Sequence, residues 1–252
     1  MSEKAGALEG RLAVITGASR GIGRAMALRL AREGAHIIAV ARTQGALEAL
    51  DDEIRAATGE QATLVPLDVT DYEGIDRLGG AIYERWGKLD IFFGCAGVLG
   101  PMSPLAHIEP KYWEKTYAVN VTANWRFIRS FDPLLRQSDA GRAVFVTSRA
   151  AHKCRAFWGP YATTKAAVEC MARIYAEEVA STNLRVHILN PGPIRTRMRA
   201  AAFPGEDPET LPTPEELAEA AWPIFTPRVD ANGAIFDFIE GELVKREPDT
   251  GC

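Results

Sequence analysis

The apolar run RLAVIT (residues 11–16) passes directly into TGASRGIG (residues 16–23), and from Ile22 to Glu33 the pattern is that of an amphipathic helix. A buried strand turning through glycines into a helix is the opening unit of a parallel sheet, because the helix must carry the chain back before the next strand begins. Gly17 permits the tight turn, Gly21 lets backbone approach a pyrophosphate, and Gly23 allows the helix to pack closely. Ser19, Arg20 and Ile22 complete the loop, and the helix N-terminus behind it offers free N–H groups to a phosphate. The spacing is GxxxGxG, not the commoner GxGxxG.

The same rhythm repeats along the chain. Strands are predicted at HIIAVA (36–41), ATLVPLDV (62–69), LDIFFGCAG (89–97), RAVFVTS (142–148), LRVHILN (184–190) and IFDFI (235–239). Helices are predicted from Gln44 to about Ala57, from Tyr72 to Trp86, and from about Tyr161 to Ala180. A further long helix has Pro110 in its first turn, runs past Asn120, and breaks near Pro133. The strands are apolar without clean alternation, as expected where both faces are covered. The pattern predicts one α/β domain over residues 1–252, a doubly wound parallel sheet of about seven strands. Prolines at 191, 193, 204, 208, 212 and 214 mark an irregular stretch directly after a strand end, read as a substrate lid over about 193–214 and expected to be poorly held without a ligand.

Composition excludes several alternatives. A formal net charge of −4 argues against nucleic-acid binding. No uninterrupted apolar run reaches membrane-spanning length, and MSEKAGALEGR lacks the apolar core of a secretory signal. Cys95, Cys154, Cys170 and Cys252 show neither CxxC nor Cys/His metal spacing, so reduced thiols in a cytoplasmic protein are expected, with no metal.

Chemistry is indicated by Tyr161 and Lys165, four residues apart on one helix face, with Ser148 thirteen residues upstream of Tyr161. An ammonium beside a phenol favours the phenolate and lowers a pKa otherwise near ~10, so Tyr161 is expected to exchange protons near neutrality. Cofactor choice rests on the end of the second strand. A carboxylate there would accept from the ribose 2′-OH of NAD, but Ala41 and Arg42 occupy that point, and Arg20 adds a second guanidinium. Arginine forks bind phosphate, which favours NADP(H), with NAD as the alternative.

These motifs resemble the short-chain dehydrogenase/reductase family from about Leu12 to Met198. FWGPYATTK and NLRVHILNPGPIRTRMRAAAFPGEDPETLPTP look most like the YciK-type bacterial oxidoreductases. The resemblance implies a Rossmann-like fold and hydride transfer between NADP(H) and a small carbonyl or alcohol. It implies that Tyr161 is the general acid or base, that Lys165 tunes it and holds the nicotinamide ribose, and that Ser148 donates to the substrate oxygen. Asn120 would anchor a water that links Lys165 to solvent. Asp68 and Val69 would meet adenine, Ala96 and Gly97 would form the turn after the fourth strand, and Pro191, Gly192, Ile194 and Thr196 would lie against the nicotinamide. Thr196 and Asp68 have alternative readings as helix-cap residues, though Asp71 is the better cap before the third helix. Cys95 departs from the family's usual asparagine and is expected to be inert. Leu99, Cys154, Phe157 and Trp158 are candidate pocket walls, and Arg195, Arg197 and Arg199 read as a solvated charge run or an anion attractor. A homotetramer or homodimer is implied through the helices holding Asn120 and Tyr161, the latter apolar on more than one face (Ala166, Ala167, Val168, Met171, Ile174, Tyr175). The competing reading is a catalytically silent NADP-binding sensor or scaffold on the same fold.

Overall fold

The computed structural model describes residues 6–244. Its strands are β1 (Leu12–Thr16), β2 (His36–Ala41), β3 (Thr63–Pro66), β4 (Ile91–Gly94), β5 (Arg142–Val146), β6 (Arg185–Asn190), β7 (Ala234–Asp237) and β8 (Glu242–Val244). They form one sheet in the order β3-β2-β1-β4-β5-β6-β7-β8. All neighbours are parallel except β7 and β8. Val14 pairs with Ile38 on one side and Phe92 on the other, which fixes β1 at the centre.

The helices are α1 (Gly21–Arg32), α2 (Gln44–Thr58), α3 (Tyr72–Trp86), α4 (Pro110–Tyr117), α5 (Ala123–Leu135), α6 (Ala150–Lys153), α7 (Gly159–Glu178), α8 (Arg197–Ala202) and α9 (Pro214–Ala221). Each face of the sheet carries its own apolar layer. One layer joins Met26 and Leu30 of α1, Leu47 and Leu50 of α2, and Leu217 of α9 to strand residues such as Ile15 and Phe93. The other joins Ile75 of α3, Phe127 and Phe131 of α5, and Val168 and Tyr175 of α7 to Val14, Phe92 and Phe145. Burial on both faces explains why the strands read as continuous apolar runs.

Several local expectations are refined. Asp71 caps α3, its side chain accepting from Gly74 N at 2.9 Å. The long helix after Pro110 is two helices joined by a π turn over Ala118–Thr122, which sets Asn120 within an irregular turn. Pro133 falls within the last turn of α5. An eighth strand was not foreseen because it is only three residues long and returns antiparallel through a turn at Gly241 (φ 71°).

The proline-rich stretch is more structured than expected. Thr196 caps α8, accepting from Arg199 N at 3.2 Å, and Thr213 forms a reciprocal capping box with Glu216 at α9. Between them Arg195 pairs with Glu209 at 2.9 Å, and Arg199 grips Glu206 through two bonds of 2.6 Å. Arg195 N also donates to Pro212 O at 2.9 Å. The expectation that little holds this segment overlooked ion pairs between residues seven and fourteen positions apart. The end of the C-terminal run GELVKREPDTGC, whose departure from the family's glycine-rich ending bears on tetramer contacts, lies outside the described residues from 245 onward.

Candidate active site

Sheet order places the site. β1 lies between β2 and β4, so the crossovers leaving it on either side run in opposite directions and open a crevice at the strand C-termini. The glycine loop lines one side. Gly17 has φ 69°, and a Cβ there would lie 3.1 Å from Ala96 Cα, so the turn presses against the β4 exit. A Cβ on Gly23 would meet Gly17 O at 2.4 Å, which only glycine avoids. One on Gly21 (φ 57°) would face Thr196 Cγ2 at 3.5 Å, so Thr196 borders the loop across the crevice. Arg20, just before α1, makes no side-chain cap, and the first turn of the helix contains no acid. Its free N–H groups and positive dipole end therefore suit an anion, and the cradle fits a pyrophosphate.

At the β2 end Arg42 is exposed, with Asp68 Oδ2 3.8 Å from its guanidinium. Burial works against the Asp68 charge, but bonds from Thr70 N (3.0 Å) and Oγ1 (2.8 Å), with Arg42's charge, hold its carboxyl below the usual range. Val69 is buried beside it. The missing asparagine after β4 is compensated locally. Thr16 Oγ1 accepts from Cys95 N (3.0 Å) and Ala96 N (3.1 Å) and sits 3.3 Å from Phe93 O, to which it donates. Burial pushes the Cys95 thiol up to about 12, so it is neutral and no nucleophile.

The catalytic candidates converge from three elements. Ser148 follows β5, and Ala150 N donates to its Oγ at 3.2 Å. Tyr161 and Lys165 project from α7, with Lys165 Nζ 5.6 Å from the phenol ring centroid. Asn120 is fully buried. Its Nδ2 donates to Val98 O and to Thr164 Oγ1, both at 3.0 Å, while Oδ1 accepts from Val98 N at 2.8 Å. The side chain thus clamps the chain after β4 to α7, and a water at Asn120 would have to use the second lone pair of Oδ1 or of its backbone carbonyl, which accepts from Asn124 Nδ2 at 2.7 Å. A Cβ at Gly97 would lie 3.4 Å from that oxygen and 3.8 Å from Lys165 Nζ, so Gly97 sits beside both groups.

The electrostatics correct one expectation. Burial pushes the Tyr161 phenol up to about 12, with the Ser148 hydroxyl acting in the opposite sense. Burial also pushes Lys165 down to about 8, with Cys95 and Glu169 opposing. Sequence reasoning expected the ammonium to lower the phenol's pKa. Here burial dominates both shifts, and Lys165 Nζ donates a hydrogen bond to Val146 O at 2.8 Å. Tyr161 is therefore a protonated donor at neutral pH.

Two features escaped the sequence reading. Glu169, one turn beyond Lys165, is buried and accepts from Thr147 Oγ1 (2.6 Å) and Arg173 (3.2 Å), with His152 Nε2 2.9 Å away. The repeat Tyr161, Lys165, Glu169 at four-residue steps was its available signal. The second is a cavity of about 250 Å³ beside Ser148, lined also by Trp158, Phe203, Gly192 and Pro193. Of the proposed walls only Trp158 lines it. Phe157 is exposed with φ 73°, Cys154 is exposed with φ 43°, and Leu99 lies elsewhere. Pro191 and Ile194 are buried beneath the loop.

Among the described residues no helix is long and apolar enough to cross a membrane. The model of the short chain dehydrogenase family matches residues 11–207. The uncharacterized oxidoreductase YciK of Escherichia coli K12 is 39% identical over 212 residues, covering 83% of this chain and 84% of that protein. A short chain dehydrogenase structure from Salmonella enterica serovar Typhi superposes with a TM-score of 0.89 at 35% identity, covering 94% of this chain and 99% of its own. A structure from Escherichia coli CFT073 described as complexed with NADPH gives 0.88 at 36% identity, covering 93% and 99%.

Proposed function

This chain belongs to the short-chain dehydrogenase family, and from that premise we propose that it is an NADP(H)-dependent oxidoreductase that reduces a carbonyl to a secondary alcohol or runs the reverse reaction. The observation that carries the proposal is the meeting of a phosphate cradle with a protonated Tyr161 and Ser148 in one crevice. The cradle holds the pyrophosphate through Ser19 to Gly23 and the N-terminus of α1. Arg20 and Arg42, with Ala41 and Arg42 rather than a carboxylate at the β2 end, select the 2′-phosphate. The NADPH reported in the Escherichia coli CFT073 neighbour supports the same choice.

The bound nicotinamide supplies the hydride. The protein's own residues supply the rest. Ser148 and Tyr161 donate to the substrate oxygen, which gains negative charge in the transition state, and Tyr161 delivers its proton there. Lys165 holds positive charge against that oxygen and grips the ribose. Asn120 keeps the β4 exit and α7 in register. A panel of ketones with NADPH and NADH tests this reading. Turnover is expected with NADPH, and Arg42→Asp should cost about 10-fold or more in NADPH affinity while narrowing the preference. Equal affinities of the native protein for both cofactors would sink the NADP reading.

The same reading extends to a homotetramer or homodimer through α5 and α7. Supporting it, Trp125 on α5 and Ile174 on α7 are 46% and 53% exposed, although Val168 and Tyr175 on α7 turn inward. A monomeric mass by light scattering at micromolar concentration would refute it.

A further inference from the structure

The cavity beside Ser148 carries a charge pattern opposite to that of the whole chain. The chain is net −4, yet Arg149, Lys153, Arg155 and Arg199 all line this cavity and no Asp or Glu does. Two of the four cations are committed. Arg149 reaches Asp237 at 3.4 Å and Glu240 at 3.8 Å, and Arg199 is held by Glu206. Lys153 and Arg155 have no acidic partner among the described residues, and both are exposed at the mouth. Cofactor phosphates do not account for them, because no residue of the glycine loop lines this cavity.

The remaining lining is aromatic. Trp158 stands edge-on to Tyr161, with ring centroids 6.0 Å apart, and its ring lies 5.6 Å from that of Phe203 at a tilt of 38°. Arg199 covers the other ring, 3.8 Å from the Phe203 centroid. Ser148, the aromatic pair Trp158 and Phe203, and the uncommitted cations Lys153 and Arg155 thus line one cavity. From this arrangement we infer that the substrate is a small anionic carbonyl compound, with a flat or apolar body between its carbonyl at Ser148 and Tyr161 and a carboxylate or phosphate at Lys153 and Arg155. The positive mouth raises the local concentration of anions, and charge-assisted bonds fix the far end of the substrate so that its carbonyl meets the donors. The inference rests on the oxidoreductase reading only for the position of the reacting carbon.

A matched pair of ketones separates the two claims. 4-Acetylbenzoate and its neutral counterpart 4-acetylbenzamide are titrated calorimetrically into the protein with saturating NADP+, where no turnover occurs. The carboxylate should bind about 10-fold or more tightly than the amide. That ratio should fall as ionic strength rises from about 0.05 to about 0.5 M. In the double variant Lys153→Gln, Arg155→Gln it should collapse toward one. Both side chains are exposed, so the fold should tolerate their loss. Equal binding of the two ketones, no binding of the carboxylate, or an unchanged ratio in the double variant overturns the anionic-substrate inference. Charge-dependent binding, with no NADPH consumed when the same ketones are then assayed with NADPH, would keep the inference and count against the proposed chemistry.

Discussion

The glycine cradle and the cavity beside Ser148 are made of different material. The cradle is backbone: Gly17 and Gly21 at positive φ, Gly23 packed against a carbonyl, and a helix start left uncapped. The cavity is made of long side chains on short, irregular segments: α6, the turn holding Cys154 and Phe157, and α8. A backbone-built site demands particular residues at particular spacings, whereas a side-chain-built site tolerates many sequences. The first kind serves the ligand that a whole family shares; the second is free to differ from one member to the next.

Substitutions sharpen this contrast. Gly23→Ala should have the largest effect, because its Cβ would collide with the Gly17 carbonyl oxygen at 2.4 Å and backbone there cannot yield. A loss of about 3 kcal/mol in stability is expected, with NADPH binding weakened in parallel. The matched control is Gly45→Ala in α2, where a Cβ meets nothing within 4 Å. It should gain about 0.5 kcal/mol. Denaturant titration of both checks the pair, and equal changes would show that the cradle has no special steric demand.

Lys165→Met probes the catalytic end with an intermediate effect. Lys165 titrates near 8 in the folded protein against a reference of 10.5, because burial disfavours its charge. Between those values the unfolded chain holds a proton that the folded chain lacks, so this residue makes stability rise with pH across about 8 to 10.5. At pH 7 its buried charge costs stability. Lys165→Met should therefore raise stability by about 2 kcal/mol at pH 7, flatten the alkaline rise, and abolish turnover. A variant less stable than the native protein at pH 7 would contradict this balance.

What could be read in advance follows the same division. The strands and main helices were legible because burial on both faces of a parallel sheet leaves continuous apolar runs, and because Asp71 and the glycines announce helix ends. The π turn at Asn120 was not, since nothing in AVNVT departs from helical composition. Nor was α8, a six-residue helix capped by Thr196 and tied to Glu206 through Arg199, with no apolar periodicity to announce it. Tyr161 and Lys165 do lie close on one helix face, as their spacing predicts, but burial shifts the phenol upward rather than down. A four-residue spacing shows proximity but not depth, and depth decides which way the phenol shifts. Lys153 and Arg155 carry no motif in the sequence, and only the fold sets them beside Ser148.

In the proposed reaction Tyr161 supplies the proton, while the grip on the cofactor's phosphates lies in the glycine loop. The most direct test follows NADPH absorbance with a ketone that the native protein reduces, comparing native protein with Tyr161→Phe, beside calorimetric titration of NADPH into each. Turnover should fall by about 10²–10⁴ in the variant while NADPH affinity stays nearly unchanged. A variant with native turnover would show that the proton comes from another group and would contradict the account.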